Sequence, residues 1–517
     1  MNAISQPLSA IFPIFATILP IRFRLLIVLW GSAIPAYAQQ TLTPAPPART
    51  TYYMEPGTYG TKRETDPPAY VRDFSALGFE KGKDVNWINV GLDSRNRTEY
   101  RQNDIRRSPT FSEDIPVLFK SRAYFGFEER LGFLGATAEF QDSRRYNSQF
   151  AIDNRDWNPF TFIQAYGELK FSNLLPADDL GNKRPILIRG GRMTFEFLDR
   201  RLIGLNQWRN TTNNFLGGRV SIGQDKNDWQ IDLLALHPIT RVVDSFASTH
   251  DYDTARTDIW FHSAIGHWRK WSPYITIEPH YMGLRQLASN ANGNIDRAIV
   301  GPGIRFTGWF NNKTINYDFG GMWQLGSDNG EKKNAHLITA EIGYTFTSSK
   351  MKPRFSLFYG EASGDADPDD DENNRFERFY GFARPWSADD YIIPENVMSP
   401  AVRFEFTVTK GVQMDGGYTW YWLQSATDRF NNLLAGSNNR DKTGESGNYI
   451  GSGPNFRIRA KPLSFVDMIF GYSYFMTGYF VQNMQAVANG EYAEFSNFCY
   501  LETTVNFLDL LTYRSKK

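Results

Sequence analysis

Hydrophobic and polar residues alternate along the chain from residue 85 onward, in segments of about ten residues. In the first segment, Ile88, Val90 and Leu92 alternate with polar residues such as Asp93 and Arg95. A period of two places these sets on opposite faces of a β-strand. Repeated strands with one apolar and one polar face are typical of barrels that cross a membrane with lipid outside and water inside.

Eighteen segments follow this pattern, and bacterial single-chain barrels have an even number of strands. We therefore predict an all-β fold, a single transmembrane antiparallel β-barrel of about 18 strands. The predicted strands are 86–101, 117–129, 134–141, 160–171, 186–196, 215–223, 229–237, 258–269, 274–285, 299–308, 314–326, 336–346, 353–360, 399–409, 413–423, 453–460, 467–476 and 495–507.

The connections between these segments alternate in length. After even-numbered segments they are mostly short, as at 270–273 and 410–412, whereas after odd-numbered segments they are mostly long and polar, as at 142–159 and 361–398. Short periplasmic turns and long extracellular loops are the outer-membrane pattern. The alternation predicts a bacterial outer-membrane protein with a periplasmic N-terminus. A soluble β-sandwich has no physical reason to sort its connections by length in this way.

The N-terminus has the features of an export signal. Arg22 and Arg24 precede the apolar run 25–30, and Ala36-Tyr37-Ala38 follows as a small-residue cleavage pattern. We predict a signal peptide over 1–38. The alternative is an N-terminal membrane anchor, for which the apolar run is short.

Three further regions complete the expected organisation. Residues 39–84 are rich in Pro, Thr and Gly, which predicts a flexible periplasmic leader, with partial occlusion of the lumen as the alternative. The barrel is expected over 85–507. Residues 508–517 form either a C-terminal tail or the end of a last strand that runs on to Tyr513.

Charge and cysteine content narrow the function. The formal net charge is zero and the single cysteine, Cys499, has no intramolecular partner. Attraction for an anionic substrate must therefore come from the local placement of charges. Aromatic residues make up 15% of the chain, which suits the interfacial belts of a membrane barrel.

Strand parity predicts a set of arginines that point into the lumen. One interpretation is a wet interior in which these cations pair with carboxylates on neighbouring strands. The other is a ladder of binding positions for an acidic chain, because the arginine fork holds a carboxylate through two hydrogen bonds. The inward set is Arg95, Arg97, Arg122, Arg219, Arg305, Arg403, Arg457 and Arg459.

The sequence offers one metal hypothesis and one catalytic hypothesis. Asp365, Asp367 and Asp369 lie in an acidic loop with a spacing that could supply oxygen ligands for a structural Ca²⁺, the alternative being a solvated loop. Ser263 and His267 share a predicted strand and suggest a hydrolase. The chain has no HExxH or GxSxG motif, so we predict no enzymatic activity and no required cofactor.

Several motifs resemble the alginate export family of outer-membrane barrels. The similarity runs from about 85 to 507 and depends on motif order and spacing. The matching segments are Gly91-Leu92-Asp93-Ser94-Arg95-Asn96-Arg97, Gly191-Arg192, Asp199-Arg200-Arg201-Leu202-Ile203-Gly204, Trp208-Arg209-Asn210-Thr211, Phe215-Leu216-Gly217-Gly218-Arg219, the acidic loop 362–370 and the late segment 471–478.

The resemblance implies a monomeric barrel that passes an anionic uronate polysaccharide outward by diffusion. It implies that Arg97, Arg192, Arg201 and Arg219 line the constriction. The expected partners are outer-membrane lipid, the polysaccharide and periplasmic export machinery, and no nucleic acid. The alternatives are a diffusion porin for small anions or sugar acids, an outer-membrane hydrolase and an adhesin that uses the long loops.

Overall fold

The computed structural model describes most of the expected mature chain, while the predicted signal peptide lies outside the described residues. Within the described residues, no helix is both long and apolar enough to cross a membrane. The described residues are 49–59, 63–107, 113–128, 133–243, 253–381, 386–433 and 439–515.

In the described part of the chain, eighteen long antiparallel strands form the barrel, and all eighteen predicted segments are confirmed. Their bounds are β1 Ile88–Gln102, β2 Val117–Phe127, β3 Leu134–Tyr146, β4 Asn158–Leu175, β5 Arg184–Met193, β6 Phe215–Ile222, β7 Trp229–Thr240, β8 Ile259–Trp268, β9 Thr276–Gln286, β10 Arg297–Phe310, β11 Ile315–Asp328, β12 Glu331–Thr345, β13 Arg354–Ala362, β14 Val397–Thr409, β15 Val412–Trp422, β16 Tyr449–Leu463, β17 Val466–Thr477 and β18 Phe495–Asn506.

Each strand pairs with the next one along the chain, and the last pairs with the first. The register between β1 and β18 runs from Asp93 opposite Asn506 to Gln102 opposite Asn497. This pairing closes the barrel and leaves no unpaired strand edge along it, which a lipid environment requires.

The two faces of the wall differ as the alternation predicts. Outward residues such as Phe125 and Leu357 are exposed, whereas inward neighbours such as Tyr124 and Arg95 are buried. Exposed apolar side chains on the outside of a closed barrel suit contact with lipid, and buried charges inside suit a polar lumen.

The connections between strands also alternate in length as predicted, with one exception. Turns after even-numbered strands are short, and the turn between β14 and β15 has only residues 410–411. Loops after odd-numbered strands are long, except that β11 and β12 are joined by only two residues, Asn329 and Gly330. Both have positive φ, the conformation of a tight hairpin turn. We refer below to the short-turn end and the long-loop end.

The N-terminal segment contacts the barrel wall from inside. Arg49 donates to the backbone oxygen of Ser272, and Tyr59 donates through its hydroxyl to Asp415. Described residues of the predicted leader, 39–84, therefore contact the wall, and the flexibility of the leader stays a prediction. Partial occlusion of the lumen, the alternative interpretation of this segment, likewise stays a prediction.

The N-terminal segment also completes the seam of the barrel. Its short strand Val71–Asp73 pairs with β1 just beyond the end of β18. Arg72 then holds Asp509, in helix α2 (Phe507–Ser515), through two hydrogen bonds of 3.0 and 2.8 Å. The last strand thus ends at Asn506, and a helical tail follows it.

The remaining described elements are short. Three of them are strands, three are 3₁₀ helices, and helix α1 lies in the loop between β17 and β18. Their bounds are Glu113–Asp114, Thr254–Ala255 and Glu372–Asn373 for the strands, Phe74–Leu77, Glu80–Gly82 and Asn290–Asn292 for the 3₁₀ helices, and Tyr479–Asn489 for α1.

Candidate functional site in the lumen

Most inward arginines of the wall are paired with carboxylates on neighbouring strands. Arg305 is the fullest example: it lies 2.9 Å from Glu278 and 2.6 Å from Asp318, one on each adjacent strand. Arg122 lies 2.6 Å from Asp93 in the same way. Antiparallel register places such side chains opposite one another, so the ion pairs follow from the wall itself.

The other predicted wall arginines have comparable partners. The distances join Arg219 to Asp232 at 2.8 Å, Arg403 to Glu341 at 3.5 Å, Arg457 and Arg459 to Asp415 at 3.1 and 2.9 Å, Arg97 to Glu99 at 2.8 Å, and Arg95 to Glu502 at 3.7 Å.

The loop between β5 and β6, residues 194–214, folds into the lumen. Arg95 and Arg97 donate to the backbone oxygens of Gln207 and Trp208 at 2.8 and 2.6 Å. Asn210 donates to three backbone oxygens, those of Phe119, Arg144 and Asp156. Arg95 and Arg97, two arginines of the predicted ladder, therefore hold this loop in place.

The predicted site residue Arg201 lies in this loop and pairs with Asp199. Burial raises the pKa of Asp199, but Arg201 and Arg305 outweigh that effect and hold the pKa at about 2. Leu198 and Arg200 adopt positive φ in the same turn, a strained conformation for these residue types. The ion pair and the surrounding packing stabilise the turn against this strain.

The described residues of a second loop, 363–381 and 386–396 between β13 and β14, also fold inward. Glu377 pairs with Arg297 of the wall, and Ser473 donates to Asp389 at 3.0 Å. A β-bridge between Ile203 and Tyr380 joins it to the first loop. A hydrophobic cluster made by both loops and the inner wall, including Trp386, accompanies these polar contacts.

A cavity of about 320 Å³, the lower cavity, remains on the short-turn side of these loops. Its lining includes Tyr53 and residues 55–59 of the N-terminal segment. Nine arginines and five carboxylates line it, so its described lining carries an excess of positive charge. The arginines are Arg63, Arg200, Arg201, Arg269, Arg305, Arg354, Arg403, Arg457 and Arg459.

A smaller upper cavity, of about 50 Å³, lies toward the long-loop end. Seven arginines and five carboxylates line it, again with positive charge in excess. The arginines are Arg97, Arg101, Arg106, Arg107, Arg145, Arg155 and Arg209.

The two cavities are separated by aromatic residues. Trp208 lines the upper cavity, and its ring lies 4.8 Å from that of Tyr500, which lines the lower one. Arg97 stacks on Trp208 at 3.9 Å, and Arg101 stacks on Phe498 at 3.9 Å. These aromatic contacts add to the ion pairs that Arg97 and Arg101 both make with Glu99, at 2.8 and 2.9 Å, and orient the two guanidiniums at the boundary between the cavities.

Arg209 differs from the wall arginines. Among the described residues, no carboxylate oxygen lies within 4.0 Å of its guanidinium, and its Nε is buried without a hydrogen-bond partner. Burial lowers the pKa of Arg209 to about 10. Parity could not identify this residue because it lies in a loop, although its Trp-Arg-Asn-Thr segment belongs to the resemblance.

Three residues that the sequence analysis singled out, Arg192, Ser263 and His267, line neither cavity. Arg192 donates to the backbone oxygens of Phe162 and Asp253, and it lies on the same outward parity as Ile188 rather than among the lumen arginines. Ser263 donates to the Tyr281 backbone oxygen. His267 is hydrogen bonded to Glu278, so it does not form a catalytic pair with Ser263.

The proposed calcium ligands do not converge. Asp369 pairs with Lys442 at 2.9 Å. Asp365 lies 3.8 Å from Arg440, and its backbone N–H donates to Asp428. Among the described residues, no group of three or more His, Cys, Asp or Glu is arranged to hold a metal ion. Asp365, Asp367 and Asp369 therefore lack the shared centre that the spacing predicts.

Comparison with known proteins supports the barrel and the resemblance. No curated protein sequence matches the chain. Two similar solved structures are outer-membrane channels at 10–13% identity, each compared over 81% of this chain and 98% of its own: OccAB4 of Acinetobacter baumannii, with a TM-score of 0.53, and OccK2 of Pseudomonas aeruginosa, with a TM-score of 0.52.

OccK2 has also been solved in complex with glucuronate, and that structure has a TM-score of 0.50 at 12% identity over 81% of this chain and 98% of its own. At these identities the likeness shows the fold alone. The family comparison goes further, because alginate export matches residues 86–494, well over half of the chain. The protein therefore belongs to the alginate export family and is a β-barrel of the bacterial outer membrane.

Proposed function

We propose that this barrel passes an anionic, uronate-containing polysaccharide of the alginate type across the outer membrane by diffusion. One observation carries the proposal: arginines outnumber carboxylates around both cavities, although the whole chain has zero net charge. Positive charge concentrated in a low-dielectric lumen attracts anions regardless of the overall charge.

The arrangement of these arginines suits stepwise movement of carboxylates. In the lower cavity, Arg457 and Arg459 share one carboxylate, Asp415, and so retain donors for a second acceptor. In the upper cavity, Arg209 offers a guanidinium that has no carboxylate oxygen within 4.0 Å among the described residues. A substrate carboxylate can then exchange from one partly satisfied arginine to the next, bound weakly enough to leave.

Single-channel recording tests the proposal. Oligouronates are expected to block the current in a dose-dependent way, and neutral oligosaccharides of equal length are expected to block it much less. Arg209→Gln removes the unpaired charge and should weaken the block about tenfold, the worth of one charge-assisted hydrogen bond.

The matched control is Arg285→Gln. The Arg285 side chain is 40% exposed, pairs with Asp296 and lines neither cavity, so the same chemical change there should leave the block unchanged. Free passage of small anions without any block by oligouronates would contradict the polysaccharide path.

A diffusion porin for small sugar acids is the second candidate. The cavities of about 320 and 50 Å³ beside the described parts of the inward loops and of the N-terminal segment are small, and a monomeric acid fits them more readily than a polymer. Glucuronate that permeates while oligouronates neither block nor permeate would favour it. Monomeric state and a periplasmic export partner stay predictions. A hydrolase has little support, because Ser263 and His267 bond to other groups.

A further inference from the structure

Asp66 of the N-terminal segment lies against two arginines of the barrel wall. Its carboxylate is 2.9 Å from Arg189 and 3.7 Å from Arg219. These arginines face each other directly across β5 and β6. Arg189 also pairs with Glu168 of the wall, and Arg219 with Asp232, each at 2.8 Å.

The third carboxylate of this cluster differs from the two wall carboxylates in exposure. The Asp66 side chain is 47% exposed, whereas those of Glu168 and Asp232 are 10% and 0% exposed. Two facing guanidiniums repel each other, so a carboxylate between them is favoured. The position that Asp66 fills is thus a binding position for a carboxylate on the lumen side. Asp66 is exposed there, so another carboxylate can replace it.

Polar contacts with the wall also hold residues 58 and 59 of the segment. Thr58 and Tyr59 donate hydrogen bonds to the wall carboxylates Asp318, Glu341 and Asp415. Residues 55–59 line the lower cavity. At these residues the segment is held by polar contacts, whereas Tyr70 and Val71 further along form a small hydrophobic cluster with Tyr124 of the wall. Polar contacts exchange with a polar ligand at small cost, because each lost bond is replaced by a similar one.

We propose that Arg189 and Arg219 form a binding site for a uronate carboxylate, and that Asp66 occupies it in the absence of substrate. The N-terminal segment is then an internal competitor, which an incoming anionic sugar displaces from the site. This inference rests on the proposed function, since it names where that substrate binds and what it must displace.

The test measures block of single-channel current by sodium glucuronate and by oligouronates. Asp66→Asn removes the competing charge while keeping the side-chain shape, and is expected to lower the half-blocking concentration about fivefold, the worth of one partly exposed ion pair. The matched control is Asp84→Asn, because Asp84 is an exposed carboxylate of the same segment that lines neither cavity. It should leave the concentration unchanged.

A double-mutant cycle separates direct competition from a general change in lumen charge. In an Arg189→Gln background, the effect of Asp66→Asn should shrink to less than twofold, because the site is lost. An undiminished effect, or no effect of Asp66→Asn in the otherwise native barrel, would overturn the proposal. Should Arg189→Gln fail to fold, an Arg219→Lys background serves, since it keeps the charge but loses the bidentate fork.

The same recordings distinguish this failure from that of the proposed function. If the native barrel is not blocked by any uronate, the proposed function is wrong. If it is blocked and Asp66→Asn changes nothing, only the competing role of the segment is wrong.

Discussion

The wall arginines and Arg209 show two ways of keeping a cation in the lumen. Arg305 lies between two buried carboxylates, and its charge is compensated by the register of three adjacent strands. Arg209 lies in an inward loop, and among the described residues no carboxylate oxygen lies within 4.0 Å of its guanidinium. Arg305 therefore stabilises the wall, whereas the guanidinium of Arg209 has fewer bonds inside the protein and can attract a ligand carboxylate.

Arg305→Gln tests the structural half of this comparison and should have the largest effect. It leaves Glu278 and Asp318 buried without their cation, which costs about 3 to 5 kcal/mol of folding free energy. Urea unfolding of the barrel, followed by its heat-modifiable gel mobility, measures the loss. Native stability in this variant would mean that the wall pairs are dispensable.

Arg209→Gln tests the other half through stability rather than binding. Because no carboxylate is left uncompensated, the unfolding free energy should stay the same or rise by about 1 kcal/mol. The same urea titration measures it. A loss as large as that of Arg305→Gln would show that Arg209 has an essential structural partner and would remove the distinction between the two classes.

Chelation should have the smallest effect of the three. Since Asp365 and Asp369 face different cations, adding EDTA should leave the melting temperature of the purified barrel unchanged. A clear drop that Ca²⁺ reverses, and that Asp367→Asn abolishes, would restore the calcium hypothesis for the acidic loop.

The sequence predicted the wall far better than the lumen contents. Alternation identifies strands such as β1 and β12 because lipid imposes a strict apolar face on every second residue. Parity then places Arg95, Arg305 and Arg403 inside, where the structure has them.

The inward loops and the N-terminal segment have no such periodic constraint. Arg209 and Asp66 acquire their surroundings from contacts more than fifty residues away in the chain, for example the bonds of Lys120 to the Arg209 backbone oxygen and of Arg189 to Asp66. Composition alone described residues 39–84 as a leader, since Pro, Thr and Gly favour flexible chains wherever they lie. Helix α1 was missed for a related reason: it lies in a loop outside the alternating pattern.

The zero-current potential of a single barrel in a potassium chloride gradient tests the central claim most directly. The excess of arginine around both cavities predicts preference for chloride over potassium, and this preference should weaken as ionic strength rises and screens the charges. Preference for potassium, or none at low ionic strength, would contradict an anion path through this lumen.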